Sequence, residues 1–286
     1  MAITIGSNIA ALNGIRQLEK STNRLTQSYE RLSSGQRINR ARDDAAGLAI
    51  AEVLRADQRI AGVAIRNAND GISAVAIVDA AMGEIGNVLA RLGELAEQSA
   101  NGVYSSTQRS ALQSEFAALG SEIERIALTT EFNGVRLLSG GANIVFQVGF
   151  NSQSTSQVTF NGVQATLASL GLAAPNGASL SFSINDSTNT LGQSAALLAL
   201  DAVKLAIGSL TQSRGGLGST ESRLGVAINT LSVAKENFAA AESRIRDVDV
   251  ASEAAELTRL TILQQAGASI LAQANQQPAL ALSLIQ

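Results

Sequence analysis

Proline occurs only twice in 286 residues, at Pro175 and Pro278. Its ring removes a backbone amide hydrogen and clashes with the preceding helical turn, so proline ends helices. A chain almost free of it, and rich in Ala, Leu, Gln and Glu, favours long helices. Aromatic residues make up only 3%. The helices are therefore expected to meet along thin seams rather than around one thick core. At roughly 100–200 residues per domain, the length allows two domains.

Apolar periodicity places the helices. Leu18, Thr22, Leu25, Tyr29 and Leu32 step 4-3-4-3, and Leu260, Leu263, Gly267, Ile270 and Ala274 step 3-4-3-4. Leu224, Ile228, Leu231, Lys235, Phe238, Glu242 and Ile245 keep the rhythm with two polar breaks. This is coiled-coil seam spacing. Residues 45–100 read as one or two long helices ending at Asn101-Gly102, and a third follows with Ser106 as its N-cap. In the stretch after it, Ile144, Phe146, Val148 and Phe150 alternate, as do Val158 and Phe160, and Asn133-Gly134 and Asn161-Gly162 mark turns. Four of the seven Phe lie between Phe132 and Phe160, where a hairpin needs large side chains to cover a helix. Residues 173–192 are rich in Ser, Asn, Gly and Thr. They predict an exposed connection with a small hairpin around Ser179–Ile184. Gly215 and Gly216 predict a weak point in the helix that follows.

The chemistry available is narrow. There is no His, Cys or Trp, which removes most zinc, thiol and Ser-His-Asp mechanisms. No metal or cofactor is implied. The formal net charge is −3, so no broad basic field draws nucleic acid. Absence of cysteine fits an exported protein. The start lacks the basic segment and cleavage site of a secretory signal, so no cleaved signal peptide is expected. Residues 260–286 carry no charge, and neither does Met1–Ile15. Gln, Asn275 and Pro278 interrupt the C-terminal run, which argues against a membrane anchor. Two uncharged tails that pair only with each other leave apolar sides bare. They are expected to lack structure in a lone chain and to order when many copies pack together.

One stretch, "RLSSGQRINRARDDAAGLAI", crowds Arg31, Arg37, Arg40 and Arg42 against Asp43 and Asp44. It lacks the aromatic residues of a nucleic-acid grip. The two aspartates diverge by about 100° on a helix and do not clasp one substrate. A joint between helices explains it better. Ser33, Ser34 and Gly35 interrupt the first helix, with Gly35 as C-terminal cap. Pairing of the termini would bring up "SRIRDVDVASE", so Arg244, Arg246, Asp247 and Asp249 join the six as a charge network between segments and subunits. Leu18, Leu25, Leu32, Leu260, Leu263 and Ile270 are the candidate packing residues of the terminal helices.

Residues 32–50 closely resemble the N-terminal signature of bacterial flagellins, and residues 236–286 resemble their C-terminal signature. "ELAEQSANG", "FNGVRLL" and "FQVG" match landmarks between them. The resemblance covers residues 1–172 and 193–286. It implies a mainly α fold: long terminal coiled-coil helices, plus a helical-bundle inner domain with a small β-hairpin region. Residues 1–44 and 244–286 would form the terminal domain lining the inner tube of a filament. Residues 45–172 and 193–243 would form the outer tube, and 173–192 the short central connection in place of the large outer domains of longer members. The implied function is a structural subunit polymerising into the extracellular flagellar filament for motility, not an enzyme. The implied partners are further copies of the chain, an export chaperone and the type III export apparatus, the filament cap and the hook-junction proteins. A contact with Toll-like receptor 5 through Arg91, Leu95 and Glu115 is also implied. No nucleic acid or membrane partner is expected. A hook–filament junction protein of the same fold is the near alternative. A surface enzyme or binding module, with its site in residues 140–192, is the distant one, and no convergent acid, base and nucleophile supports it.

Overall fold

The computed structural model describes residues 8–140, 143–186 and 188–283, the side chains of residues 189 and 277–283 excepted. The described residues form two units. One is drawn from the chain up to Gln58 and from Glu236 onward, the other from Arg59–Lys235.

In the first unit, α1 (Ile9–Ser34) lies antiparallel to α5 (Val250–Ser283). Asn8 caps α1 by accepting the Ala11 N–H at 3.0 Å, and its own amide donates to the Ala274 carbonyl at 2.7 Å. At the other end Gly35 takes φ 70, the left-handed cap that stops the helix. The α1 seam is Ala11, Gly14, Leu18, Ser21, Leu25, Ser28 and Leu32, an unbroken 3-4 alternation. Leu18 sits over Gly267, and Leu271 over Gly14, each 3.5 Å from where a Cβ would stand. Leu18, Leu25, Leu32 and Leu260 thus face the partner helix, while Thr22, Tyr29, Leu263 and Ile270 face outward. Reading the seam from large side chains misplaces it by one position at these sites. The close approach of the helices selects small residues, and bulkier neighbours are left outside. The described parts of the tails, Ile9 onward and up to Ser283, differ from the expectation of unstructured ends in being helical, and the remaining tail residues lie outside the described residues. Their outward sides stay bare: Ile9, Leu12, Ile15, Ile262, Leu263 and Ile270 are exposed.

The second unit is organised by residues of α2 (Ala45–Ala100) and α4 (Asn189–Arg246). From Ala61 to Ser99 the α2 seam alternates 3-4 without a break, through Val75, Val78, Met82, Ile85, Leu89 and Leu92. The α4 seam does the same through Ala196, Ala199, Val203, Ala206 and Leu210. The helices run antiparallel, with Val203 beside Gly93, Leu210 beside Gly86 and Leu224 beside Gly71. Helix α3 (Ser106–Thr129) closes the bundle with Phe116, Ile123 and Ala127. Its N-cap is Ser105, not Ser106: Ser105 and Gln108 form a reciprocal capping box. Helix α4 is continuous through Gly215 and Gly216, so the expected weak point does not break it.

Asn133-Gly134 turns the hairpin of β1 (Glu131–Phe132) and β2 (Val135–Arg136), both at positive φ as a type I′ turn requires. Strands β3 (Ile144–Gln147) and β4 (Gln157–Phe160) pair antiparallel, Ile144 opposite Phe160. Phe146 lies 3.2 Å from a notional Gly71 Cβ, so the glycine lets the hairpin press onto α2. Asn161-Gly162 is not a turn; it continues from β4 without regular structure. The connection at 173–192 is less exposed than its composition predicts. Leu180 and Phe182 pack on the core, Ile184 is fully buried, and Ala173 and Leu180 form a single bridge rather than a hairpin.

Candidate functional site

The arginine-rich joint closes α1 and α4 against each other at the start of their following segments. Gln36 and Asp247 form an antiparallel bridge. The Arg37 N–H donates to the Arg246 carbonyl at 2.6 Å, and the Val248 N–H to the Gly35 carbonyl at 3.1 Å. Two rungs of sheet-like bonding thus satisfy backbone groups freed where both helices stop. Ile38 plugs the joint and is buried.

The charged residues divide by side-chain length. The short aspartates serve backbone amides. Asp44 accepts the Gly47 N–H at 2.8 Å, capping α2, and Asp249 accepts Ala251 and Ser252 N–H at 3.0 and 3.2 Å, capping α5. Asp43 accepts the amides of Arg40 and Asn39 at 3.0 and 3.2 Å. The Arg40 amide above all, with that of Asn39 and the charges of Arg42 and Arg31, holds its carboxyl below the usual carboxylate range. The longer glutamates meet the arginines. Arg246 reaches Glu52 at 2.9 Å and Gln36 at 3.0 Å, Arg40 reaches Glu30 at 2.7 Å, and Arg31 lies 3.7 Å from Glu253, which also accepts the Ser28 hydroxyl. Arg37 spends its guanidinium on the Ile245 carbonyl at 2.6 Å. Arg244 and the Asp247 carboxylate make no ion pair among the described residues.

All ten predicted joint residues therefore lie in one region, but not as one salt-bridge network. Three aspartates bind backbone, and Arg42 makes only a 3.8 Å approach to Asp43. Glu30, Glu52 and Gln36 complete the joint and were not among the predicted residues. Nothing in their local sequence separates them from other helix-surface polar residues. Gly47 was also missed: a Cβ there would fall 2.4 Å from the Asp44 carboxylate and 2.9 Å from Ile38.

The second predicted patch divides. Arg91 donates to Glu115 through Nε and Nη2 at 3.0 and 2.8 Å, and to Glu94 at 2.8 Å. Glu94 first, then Glu115, hold the Arg91 proton more tightly than usual. Leu95 is 0% exposed in the bundle core, so it forms no part of this surface. Its reading as a contact residue is corrected to a packing role.

Long helices closed by a capped joint, with small strands packed on a helical bundle, define a mainly α protein of extended helices. Models of the bacterial flagellin N-terminal helical region and C-terminal helical region match residues 5–143 and 200–285. A flagellin of Halalkalibacterium halodurans is 42% identical over 99% of both chains, and one of Bacillus subtilis is 39% identical over 99% of both. The crystal structure of Bacillus cereus flagellin is 29% identical, covering 58% of this chain and 88% of that one with a TM-score of 0.48. The chain belongs to the bacterial flagellin family. It is a structural subunit of the flagellar filament, an extracellular assembly, and its full-length likeness to flagellins favours this over a hook-junction role.

Proposed function

We infer that the chain polymerises chiefly through the outward sides of α1 and α5, and that the joint fixes the register in which they are presented. The observation that carries this is the bare apolar side of both helices, at Ile9, Leu12, Ile15, Ile262, Leu263 and Ile270. Sides of this kind are stable in water only when covered, and copies of the same chain supply the cover. Arg244 and Asp247 at the joint then meet charges of neighbouring subunits, which sets register more than it adds stability. The chain does no catalysis. It reaches the cell exterior through the flagellar export apparatus after release from a chaperone, and adds beneath the filament cap onto hook-junction proteins. Arg91 and Glu115 supply the contact with Toll-like receptor 5.

The test is seeded polymerisation followed by electron microscopy. Purified chain extends sheared filament fragments, whereas the Leu263→Asp, Ile270→Asp variant leaves them at seed length with the Arg59–Lys235 unit still folded. Normal elongation by that variant removes the tail faces from the mechanism.

A further inference from the structure

The two outer edges of the β3–β4 hairpin are not alike. One bond fixes the phase of the pairing: the Val148 N–H donates to the Ser156 carbonyl at 2.9 Å, so Phe146–Val158 and Ile144–Phe160 are the pairs that exchange bonds. The alternate residues turn their backbone groups outward. On β3 the outward Gln147 carbonyl accepts the side-chain amide of Asn67 on α2 at 3.1 Å. On β4 the outward N–H and C=O of Thr159 have no protein partner among the described residues. The alternation runs past the strand end. The Gly162 N–H turns back to the Asn143 side chain at 3.3 Å, which leaves Asn161 facing outward with its N–H and C=O equally unpaired.

An open strand edge is ordinarily covered, charged or twisted away. This one borders a groove of about 350 Å³ whose other wall is α4, at Gly216, Leu217 and Arg223. Gly216 leaves open space where a side chain would stand, and so sets the width of the groove. Arg223 is the one charged residue lining it, and it makes no ion pair among the described residues. Glu221 does not neutralise it, because two residues along a helix place the two side chains about 200° apart around the axis. A strand edge that faces a helix across a cleft captures extended peptides: backbone bonds give affinity and the cleft selects side chains.

We propose that this groove binds an extended segment of another protein as a third strand beside β4, and that the segment carries a carboxylate held by Arg223. Thr159 and Asn161 stand two residues apart, about 7 Å of strand, so three residues of the guest suffice to meet all four backbone groups. A guanidinium meets a carboxylate through two parallel bonds, which favours acidic guests over neutral ones. A second copy is a poor guest. The strands of this chain among the described residues are already paired, and Leu180, Phe182 and Ile184 pin the central connection to its own bundle. The contact uses the Arg59–Lys235 unit alone and stands independently of polymerisation.

The probes are three fluorescent pentapeptides blocked at both ends, Asp-Thr-Val-Thr-Val, Val-Thr-Asp-Thr-Val and Val-Thr-Val-Thr-Asp. Each is titrated with the full, unseeded chain and followed by anisotropy. At least one is expected to bind saturably, with a Kd on the order of 0.1 mM. Replacing its Asp by Asn, or Arg223→Gln in the chain, should each weaken binding by about tenfold or more. Gly216→Leu fills the groove and should abolish binding while circular dichroism shows the helix kept, since a good helix former replaces glycine. Methylating alternate backbone nitrogens of the probe tests the strand pairing: one phase should lose binding and the other keep it. No binding by any probe, equal binding by both methylated phases, or binding indifferent to Arg223→Gln overturns the proposal. Failure of every probe together with arrest of seeded growth by Gly216→Leu assigns the groove to a second copy, and overturns it as well.

Discussion

Arg109 is fully buried at the start of α3, yet nothing in its neighbourhood of Ser and Gln marks it as a core residue. Its Nε donates to the Ser99 carbonyl at 2.9 Å and its Nη2 to the Asn101 carbonyl at 3.1 Å. It therefore caps the end of α2, where unpaired carbonyls and the negative end of the helix dipole gather. Ser99 completes the corner by donating its hydroxyl to Ile184, whose N–H bonds Gln113 at 2.7 Å. Arg109→Ala should destabilise the Arg59–Lys235 unit by about 3 kcal/mol, from charge-assisted bonds lost to buried carbonyls. Urea denaturation would measure it, and a change within error would show that water replaces the guanidinium. A second pair lies on the surface. Arg214 grips Asp79 through two bonds of 2.8 and 3.0 Å, and the bond from Arg214 holds the Asp79 carboxyl below its ordinary value. A depressed acid stabilises the fold above its unfolded pKa, about 3.9, and that contribution is lost as pH falls through the folded value. Both side chains are nearly half exposed, so the gain is under about 1 kcal/mol. Asp79→Asn should lower stability at neutral pH by that small amount and not at all in strong acid. A difference that persists undiminished in acid would assign the effect to packing. The charge clusters of the joint were legible because four arginines and two aspartates stand together. Arg109 was not, because the Ser99 and Asn101 groups it binds are backbone carbonyls, which every sequence has.

At the scale of elements, heptad spacing located the long helices and Asn133-Gly134 located a hairpin. The face each helix buries was harder to read. In α1, Ser21 and Ser28 sit in the seam while Thr22 and Tyr29 face out, since neighbouring positions fit a 3-4 rhythm equally well and the distance between helices decides. The glycines of α4 show the same limit. They mark a weak point, but the helix runs on because Leu210, Leu217 and Leu224 hold the seam on either side of them. Gly215 and Gly216 meet nothing within 4 Å of a notional Cβ, so their cost is conformational freedom alone. Gly215→Ala with Gly216→Ala should stabilise the lone chain by about 1–2 kcal/mol in urea denaturation. Destabilisation would reveal a contact or strain at these positions.

For the whole molecule, helical ends around a middle that holds short strands were legible from where glycine and aromatic residues fall along the chain, while the two units part at Gln58 and Glu236 and not at the expected 44 and 244. The central connection departed from its polar composition because three apolar residues, Leu180, Phe182 and Ile184, suffice to pin it to the bundle. One property of that bundle reaches further. The α2 and α4 seams repeat on the same seven-residue beat and run in opposite directions. Nothing in such a ladder defines a unique number of rungs. A matched gain of one repeat in each strand of the pair lengthens the shaft by about 10 Å and keeps every later rung in step, whereas a gain in only one strand sets all rungs beyond it against the wrong neighbour. The molecule is thus a ruler graduated in whole repeats, and relatives that differ in shaft length should do so by paired sevens.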